Sequence, residues 1–387
     1  MALNTEKVLA MNGGQGKSSY ARNSSLQGKF LRFLQPFLQE CIAHMNITPC
    51  NKFAIADLGC SSGPNSLFIA HTISTEIQDK YMAMSLPKPE LQVFFSDLPS
   101  SDFNLLFQSL PPPPKGDKQE EEEEDDNEKN GTIKTRCNYF AAGVAGSFYN
   151  RLFPKNSLHF VHSNFSLHWL SQVPAEIEDK RSRSWNGGRV FISKDGPVEV
   201  GEAYLRQFQK DFHSFLRARS EEVVAGGCMF LSLLGRPDEC EDPRDQGPFA
   251  TVWDILHASF NDMVIQGVIE EDKRDSFNLP FFSPSSLELR AEVEKEGSFT
   301  VKRIDYFSVL GQPRFETENI KDEDIGRMVA NHSRAVLEGM ISAYFGSEVV
   351  NPLYENFAKR AAGNASQVME SILHGGEFFV VLGRKQD

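Results

Sequence analysis

The sequence predicts an α/β protein: an open, mostly parallel sheet with a helical cap over one edge. Three observations carry that expectation. Short buried strand runs alternate with longer helical patterns, the first strand runs into a glycine turn that opens a helix, and a surplus of helical pattern collects after residue 200. The chain has 387 residues, 40 % of them hydrophobic, enough for one large domain spanning 1–387. Its core is Phe-rich, with 31 Phe against 8 Tyr and 3 Trp.

The elements follow in order. Residues 1–30 hold Gly13-Gly14-Gln15-Gly16 with no strand before it, and read as an N-terminal lid segment. Gly16-Lys17-Ser18 resembles a phosphate loop only superficially, because Met11 stands where the first glycine is required. Phe53-Ala-Ile-Ala-Asp-Leu58 is a short continuous apolar run, as expected of a central parallel strand covered on both faces. A helix over Ser66–Tyr81 and a strand over Leu91–Leu98 come next. Pro111–Pro114 then lead into an acidic tract, Asp117–Glu128, whose nine acids and one base carry −8 of the chain's net −13. Such a tract cannot bury apolar surface, so residues 110–133 are expected to be a disordered insertion inside the domain. Strand signals resume at Ser157–His162 and Gly227–Leu234, and Phe299–Phe307 and Glu377–Gly383 look like a closing pair. Helical patterns cover Ala203–Val224, Thr251–Gly267, Asp322–Phe345 and Pro352–Leu373, which places the cap mainly within 175–225 and 240–372.

Composition excludes several classes of function. No basic stripe with interleaved aromatics exists, so a reader of nucleic-acid backbone is not expected. No apolar run reaches the roughly 18 residues of a membrane span. The start lacks a basic region followed by an apolar stretch, and the six cysteines form no Cys-x-x-Cys pair. A cytoplasmic protein with reduced thiols is the expectation.

The strongest local motif is Asp57-Leu-Gly-Cys-Ser-Ser-Gly-Pro-Asn65, placed where doubly wound sheets bind nucleotides. Gly59 and Gly63 let backbone approach a ligand closely. The Gly-x-x-x-Gly spacing does not suit a dinucleotide pyrophosphate. Asp97, ending the next strand, is placed to bond ribose hydroxyls; the competing reading makes Asp57 and Asp97 simple turn caps. His159 and His162 fall on opposite faces of a strand and read as packed or capping residues rather than metal ligands. His168-Trp169 lies past a strand end, where it serves either as an anion-binding pair in an apolar pocket or as core aromatics.

Five segments occur together and in order: Met11–Ser24, Asp57–Asn65, Ser96-Asp-Leu-Pro-Ser-Ser-Asp-Phe-Asn104, Gly146-Ser-Phe-Tyr149 and Phe165-Ser-Leu-His-Trp-Leu-Ser-Gln-Val-Pro174. That set resembles the SABATH family of plant methyltransferases, which methylate small carboxylic acids or purine nitrogens with S-adenosylmethionine. The resemblance runs nearly end to end, interrupted by the acidic insertion. It implies a Rossmann-like class I methyltransferase sheet with an antiparallel last strand, and a homodimer. It implies cofactor contacts from Tyr20, Cys60, Asn65, Asp97, Leu98, Ser147 and Phe148. For substrate it implies Gln27, Phe165, His168 and Trp169, with Trp253 walling the pocket; Gln27, Trp169 and His168 are the candidate catalytic donors. It also implies a Mg²⁺ site at Asn186, Asp275, the backbone of Phe277, and Asn278, all oxygen donors. Asn12 departs from several members, which carry Lys there.

The segments Ser96–Ser100, Phe165–Trp169, Asp242–Gly247 and Lys273–Pro280 look most like indole-3-acetic acid carboxyl methyltransferases. His168 argues against salicylate-type members, which carry Met at that place. The expected activity is therefore formation of methyl indole-3-acetate. Gibberellin, jasmonate, benzoate or cinnamate are alternative acids, purine N-methylation is a further alternative, and a non-catalytic cofactor or hormone binder is the reading from another class.

Overall fold

The computed structural model describes residues 5–114, 137–308 and 320–386. Two short helices, α1 (Thr5–Val8) and α2 (Tyr20–Asn23), lead into α3 (Ser25–His44). There follow β1 (Lys52–Leu58), α4 (Pro64–Ala83), β2 (Glu90–Asp97), α5 (Phe103–Gln108), β3 (Phe140–Ala145) and β4 (Leu158–Asn164). A long α6 (Val198–Glu222) runs directly into β5 (Val223–Leu234). The remainder is α7 (Ala250–Ile265), α8 (Glu271–Asp275), α9 (Ser286–Glu296), β6 (Phe299–Ser308), α10 (Asp322–Phe345), α11 (Ser347–Gly363), α12 (Ala365–Leu373) and β7 (Gly376–Arg384).

The strands form one seven-stranded sheet in the order β3-β2-β1-β4-β5-β7-β6. β1 to β5 pair in parallel, whereas β7 inserts antiparallel between β5 and β6. The strand order reverses at β1/β4, and a crevice opens there beyond the carboxyl ends of the strands. The register puts Asp57 opposite His162 and Leu58 opposite Ser96, so the β1, β2 and β4 ends share one level. α3 and α4 cover one face of the sheet, while α6 and α9 cover the other. A third core, built from α7, α10, α11 and α12 with the 277–281 segment, is the cap.

Several local choices place the ends of these elements. Pro64 starts α4, where a missing N–H costs nothing. Asp102 caps α5 by accepting from Leu105 N. Ser285 and Glu288 form a reciprocal capping box on α9, which ends at Gly297 with φ 87°.

Some expectations are corrected. α6 belongs to the sheet layer and not to the cap, because its apolar stripe (Tyr204, Phe208, Phe212, Phe215) buries with β5 and α9. The helical pattern over Pro352–Leu373 is two helices, parted at Asn364. Residues 25–30 of the lid segment are the first turns of α3. β3 is an edge strand of mostly exposed Ala and Gly, a composition without strand signal. The acidic tract lies outside the described residues; its flanks meet where Cys137 N donates to Pro112 O at 2.9 Å, so the insertion leaves and returns at one point. No described helix is long and apolar enough to cross a membrane.

Candidate active site

The β1–α4 turn is shaped for a ligand. Gly59 adopts φ 80°, and a Cβ there would sit 2.1 Å from Ser166 Oγ. Ser61, two residues on, holds φ 53°, a strained region for a side-chain-bearing residue. Both Gly59 N and Cys60 N donate to Ser96 O, which ties the turn to β2. Asp97 faces the turn: Oδ2 accepts from Ser61 N at 2.6 Å, and Oδ1 accepts from Leu98 N at 2.7 Å and Ser101 Oγ at 2.5 Å. These bonds lower the Asp97 pKa, but burial outweighs them and raises it. A carboxylate accepts about four hydrogen bonds, so this one keeps capacity for a ligand hydroxyl.

Tyr20, Asp97, Leu98, Ser147 and Phe148 line one crevice at the strand ends. Cys60 and Asn65 line a smaller adjoining one, which shares Tyr20, Gly59 and Asn164 with the first. Burial pushes the Cys60 thiol well above its usual range, so it is a neutral wall residue and no nucleophile. Burial likewise raises the Tyr20 hydroxyl, with Asp97 and Asp57 adding to the effect. Asn65 donates to Ser24 O at 3.0 Å and fills the space above Gly28, where a Cβ would meet Asn65 Oδ1 at 2.6 Å. Within the smaller crevice's wall, Asp57 Oδ1 bonds His162 Nδ1 at 2.7 Å. His159 stacks on Phe53 and accepts from Ala54 N, the packed role expected for it.

The loop that carries Ser147 and Phe148 is held from below by a buried ion pair that no sequence motif announces. Arg219 Nε meets Glu222 Oε2 at 2.6 Å; Arg219 also donates to Phe148 O and Asn150 O. Glu222 Oε1 accepts from Leu152 N and Phe153 N. Every polar atom of the pair is thereby used, the condition under which a buried ion pair is tolerated.

Beside these crevices lies an apolar chamber whose empty volume, mouth included, is about 1140 Å³. Gln27, Phe165, His168, Trp169 and Trp253 all line it. Met11, Tyr20, Phe165 and Trp169 line both the chamber and the larger crevice, so the two cavities share a wall. Trp169 is pinned from several sides: its carbonyl accepts from Tyr149 Oη at 2.5 Å, its ring meets Phe281 edge-on at 5.3 Å, and it bridges to Phe281 through backbone. Phe281 also packs against Trp253 and His168, which makes it the centre of the aromatic wall. Phe165 itself takes φ 51°, a second strained position at the site.

His168 Nδ1 accepts from Leu234 N at 3.1 Å, which leaves Nε2 as the protonated nitrogen. Burial lowers its pKa to about 3, so the ring is neutral. A functional residue invisible to sequence reasoning is His332 on α10. Its Nδ1 bonds Asn23 O at 2.9 Å, its Nε2 lies 3.4 Å from Gln27 Nε2, and burial lowers its pKa. With Nδ1–H donating, Nε2 must accept, and that decides which end of the Gln27 amide faces it. One Gln27 N–H is then occupied and the other is available. Asn12 is not among the residues that line the chamber or the two crevices; its amide donates to Glu338 Oε2 at 2.7 Å and ties the N-terminal loop to α10.

Asn186, Asp275, Phe277 and Asn278 do gather at the cap, bonded largely to one another and to neighbouring groups. Asn186 Nδ2 donates to Asn278 Oδ1 at 2.7 Å, and Asp275 Oδ1 takes Arg274 Nε at 2.7 Å and Gly188 N at 3.1 Å. Only Asn186 Oδ1 is buried without a partner among the cluster's oxygens. With a guanidinium already on the sole carboxylate, these residues do not fit a Mg²⁺ ion as they stand. Among the described residues no cluster of three or more His, Cys, Asp or Glu could hold a metal.

Sheet order, glycine turn and acidic strand end together define a Rossmann-like methyltransferase fold. A family profile described as SAM-dependent carboxyl methyltransferase matches residues 6–385. The chain is 41 % identical to indole-3-acetate O-methyltransferase 1 of Oryza sativa subsp. japonica over 94 % of this chain and 90 % of that one. It is 40 % identical to jasmonate O-methyltransferase of Arabidopsis thaliana, covering 91 % and 93 %. A solved loganic acid methyltransferase with SAH superposes at a TM-score of 0.84, with 33 % identity over 97 % of this chain and 99 % of that one. The protein therefore belongs to the SABATH family of S-adenosylmethionine-dependent carboxyl methyltransferases, and it is an O-methyltransferase.

Proposed function

We propose that the protein forms the methyl ester of indole-3-acetate, with the acid bound in the apolar chamber and S-adenosylmethionine in the crevices beside it. The supporting observation is the shared wall of Met11, Tyr20, Phe165 and Trp169, with Gln27 at its chamber side. S-adenosylmethionine supplies a methyl group on a positively charged sulfur. In this reading Tyr20, Cys60, Asn65, Asp97, Leu98, Ser147 and Phe148 hold it, with Asp97 on the ribose hydroxyls and Phe148 against the adenine.

A carboxylate, with an ordinary pKa near 4, is already ionised at neutral pH and needs no general base. Neutral His168 and His332 suit that requirement, because neither has a proton-accepting task left to perform. The task of the side chains is orientation, which can supply roughly 7–11 kcal/mol of a barrier. The free Gln27 N–H and the Trp169 indole N–H clamp one carboxylate oxygen and leave the other free to attack. His168 Nε2–H is a third donor. The aromatic wall, in which Phe281 meets both Trp169 and Trp253 edge-on, suits an aromatic acid. Cytoplasmic residence and a homodimer belong to this reading, whereas Mg²⁺ plays no part in the step.

The test is methyl transfer from labelled S-adenosylmethionine to a panel of acids and xanthines, with products identified by mass. Methyl indole-3-acetate is the expected preferred product. A jasmonate, gibberellin, benzoate or cinnamate ester would move the substrate assignment and keep the chemistry. Cofactor binding without transfer to any acceptor would contradict the reading and favour a binder.

A further inference from the structure

The second residue of β7, Glu377, is of the wrong kind for its place. Alternate residues of a strand share a face, so Glu377 and Phe379 point the same way. Phe379 packs against Phe37, Phe230 and Phe307, as an inward residue of a Phe-rich core should. Glu377 occupies the next inward position and lines the chamber. Its cross-strand neighbours are Leu234 and Phe307, and Ile372 and Phe33 line the same cavity. The residue is 7 % exposed, and Oε2 is buried with no hydrogen-bond partner among the described residues. An apolar residue there would complete the wall at no desolvation cost, whereas a buried carboxyl oxygen without a partner destabilises the fold. A ligand that brings the missing partner accounts for it.

We propose that Glu377 is a specificity residue for this reaction: its carboxyl group hydrogen-bonds an N–H or O–H on the body of the acid substrate, away from the carboxylate that is methylated. The assignment rests on the chamber being the acid site. Glu377 lines the chamber and not the cofactor crevice, so it meets the substrate's body rather than its reacting end. Burial raises its pKa well above the carboxylate range, which favours the neutral form. A neutral carboxyl does not repel an anionic substrate, and it offers one O–H donor and one carbonyl acceptor. Trp253 Nε1 and Ser333 Oγ, also buried without partners, line the same chamber and mark it as a polar-point pocket within an apolar shell. The indole N–H of indole-3-acetate is a donor of the kind Glu377 would read.

The experiment compares pairs of acids of similar size that differ in one donor: indole-3-acetate against 1-naphthaleneacetate, and 4-hydroxycinnamate against cinnamate. kcat/KM is measured for wild type, Glu377→Gln and Glu377→Leu, with thermal midpoints confirming folding; Glu377→Met replaces the Leu variant should that one not fold. Wild type is expected to favour the donor-bearing acid at least tenfold in the pair it methylates. Glu377→Leu is expected to narrow that ratio to threefold or less by losing rate on the donor-bearing acid alone, and Glu377→Gln to retain most of it. A wild-type ratio near one, or a ratio unmoved by Glu377→Leu, overturns the proposal while leaving carboxyl methylation intact. Narrowing confined to the hydroxycinnamate pair supports Glu377 and removes indole-3-acetate as the substrate.

Discussion

The two halves of the site are built in different ways. The cofactor crevices are made of backbone and short local motifs: a glycine turn at the end of β1, an acidic residue at the end of β2, and a loop after β3. The acid chamber is made of side chains from distant segments: Gln27 on α3, Phe165 to Trp169 after β4, Trp253 on α7, Phe281, His332 on α10, and Glu377 on β7. In the proposed reading the first arrangement binds the cosubstrate through main-chain geometry that few substitutions can alter. The second sets preference through side chains that can change singly, each apolar contact being worth about 1–3 kcal/mol. One fold can therefore keep its chemistry while its acid changes.

Substitutions should separate the halves. The largest effect is expected from Asp97→Asn, which removes charge from a carboxyl that also organises the Ser61 and Leu98 N–H groups. Cofactor affinity should fall at least tenfold by calorimetry, with rates on all acids reduced alike; unchanged affinity would remove the ribose assignment. Trp169→Phe deletes one charge-assisted hydrogen bond worth about 1.5–3 kcal/mol, so carboxyl transfer should drop roughly 10- to 150-fold while cofactor affinity holds. Equal losses in both would mean that Trp169 is only a wall between the cavities. His332→Leu leaves the Gln27 amide without its orienting partner; a loss of about five- to tenfold in kcat/KM is expected, of the size of one net hydrogen bond. No loss would show that the Gln27 amide orients itself.

A separate effect, on stability rather than rate, concerns acid. His168 has a folded pKa of about 3 and an unfolded value near 6.5, so between those values the unfolded chain binds more protons and stability rises with pH. Stability is fully present above pH 6.5 and falls as pH drops toward 3. From pH 7 to pH 5 this one group should cost about 2 kcal/mol, read from denaturant titrations, and His168→Met should lose that much less. His257, lowered to about 4, adds in the same direction.

Legibility in the sequence follows the same division. The run from Phe53 to Asn65 and the end of the next strand are local strand–turn–helix signals, so Asp57, Gly59 and Asp97 could be placed by chemistry alone. Gln27, Trp253 and the cofactor-side aromatics came only with the family resemblance. His332, Phe281, Ser333 and Glu377 carried no local mark. Gln27 meets His332 across 305 residues, and each of the four sits in a segment whose apolar pattern reads as core. The Arg219–Glu222 pair has the i,i+3 spacing of an ordinary helix-surface pair, yet both side chains are fully buried. β3 carries little local signal because four of its six residues are Ala or Gly, with Val144 as its single β-branched residue.

The most direct test of the account is a crystal structure with S-adenosylhomocysteine and indole-3-acetate bound. The account requires the carboxylate at the shared wall, one oxygen about 3 Å from both Trp169 Nε1 and Gln27 Nε2, with the other facing the cofactor crevice. A carboxylate lying elsewhere in the chamber, with Trp169 and Gln27 unbonded to it, would contradict it.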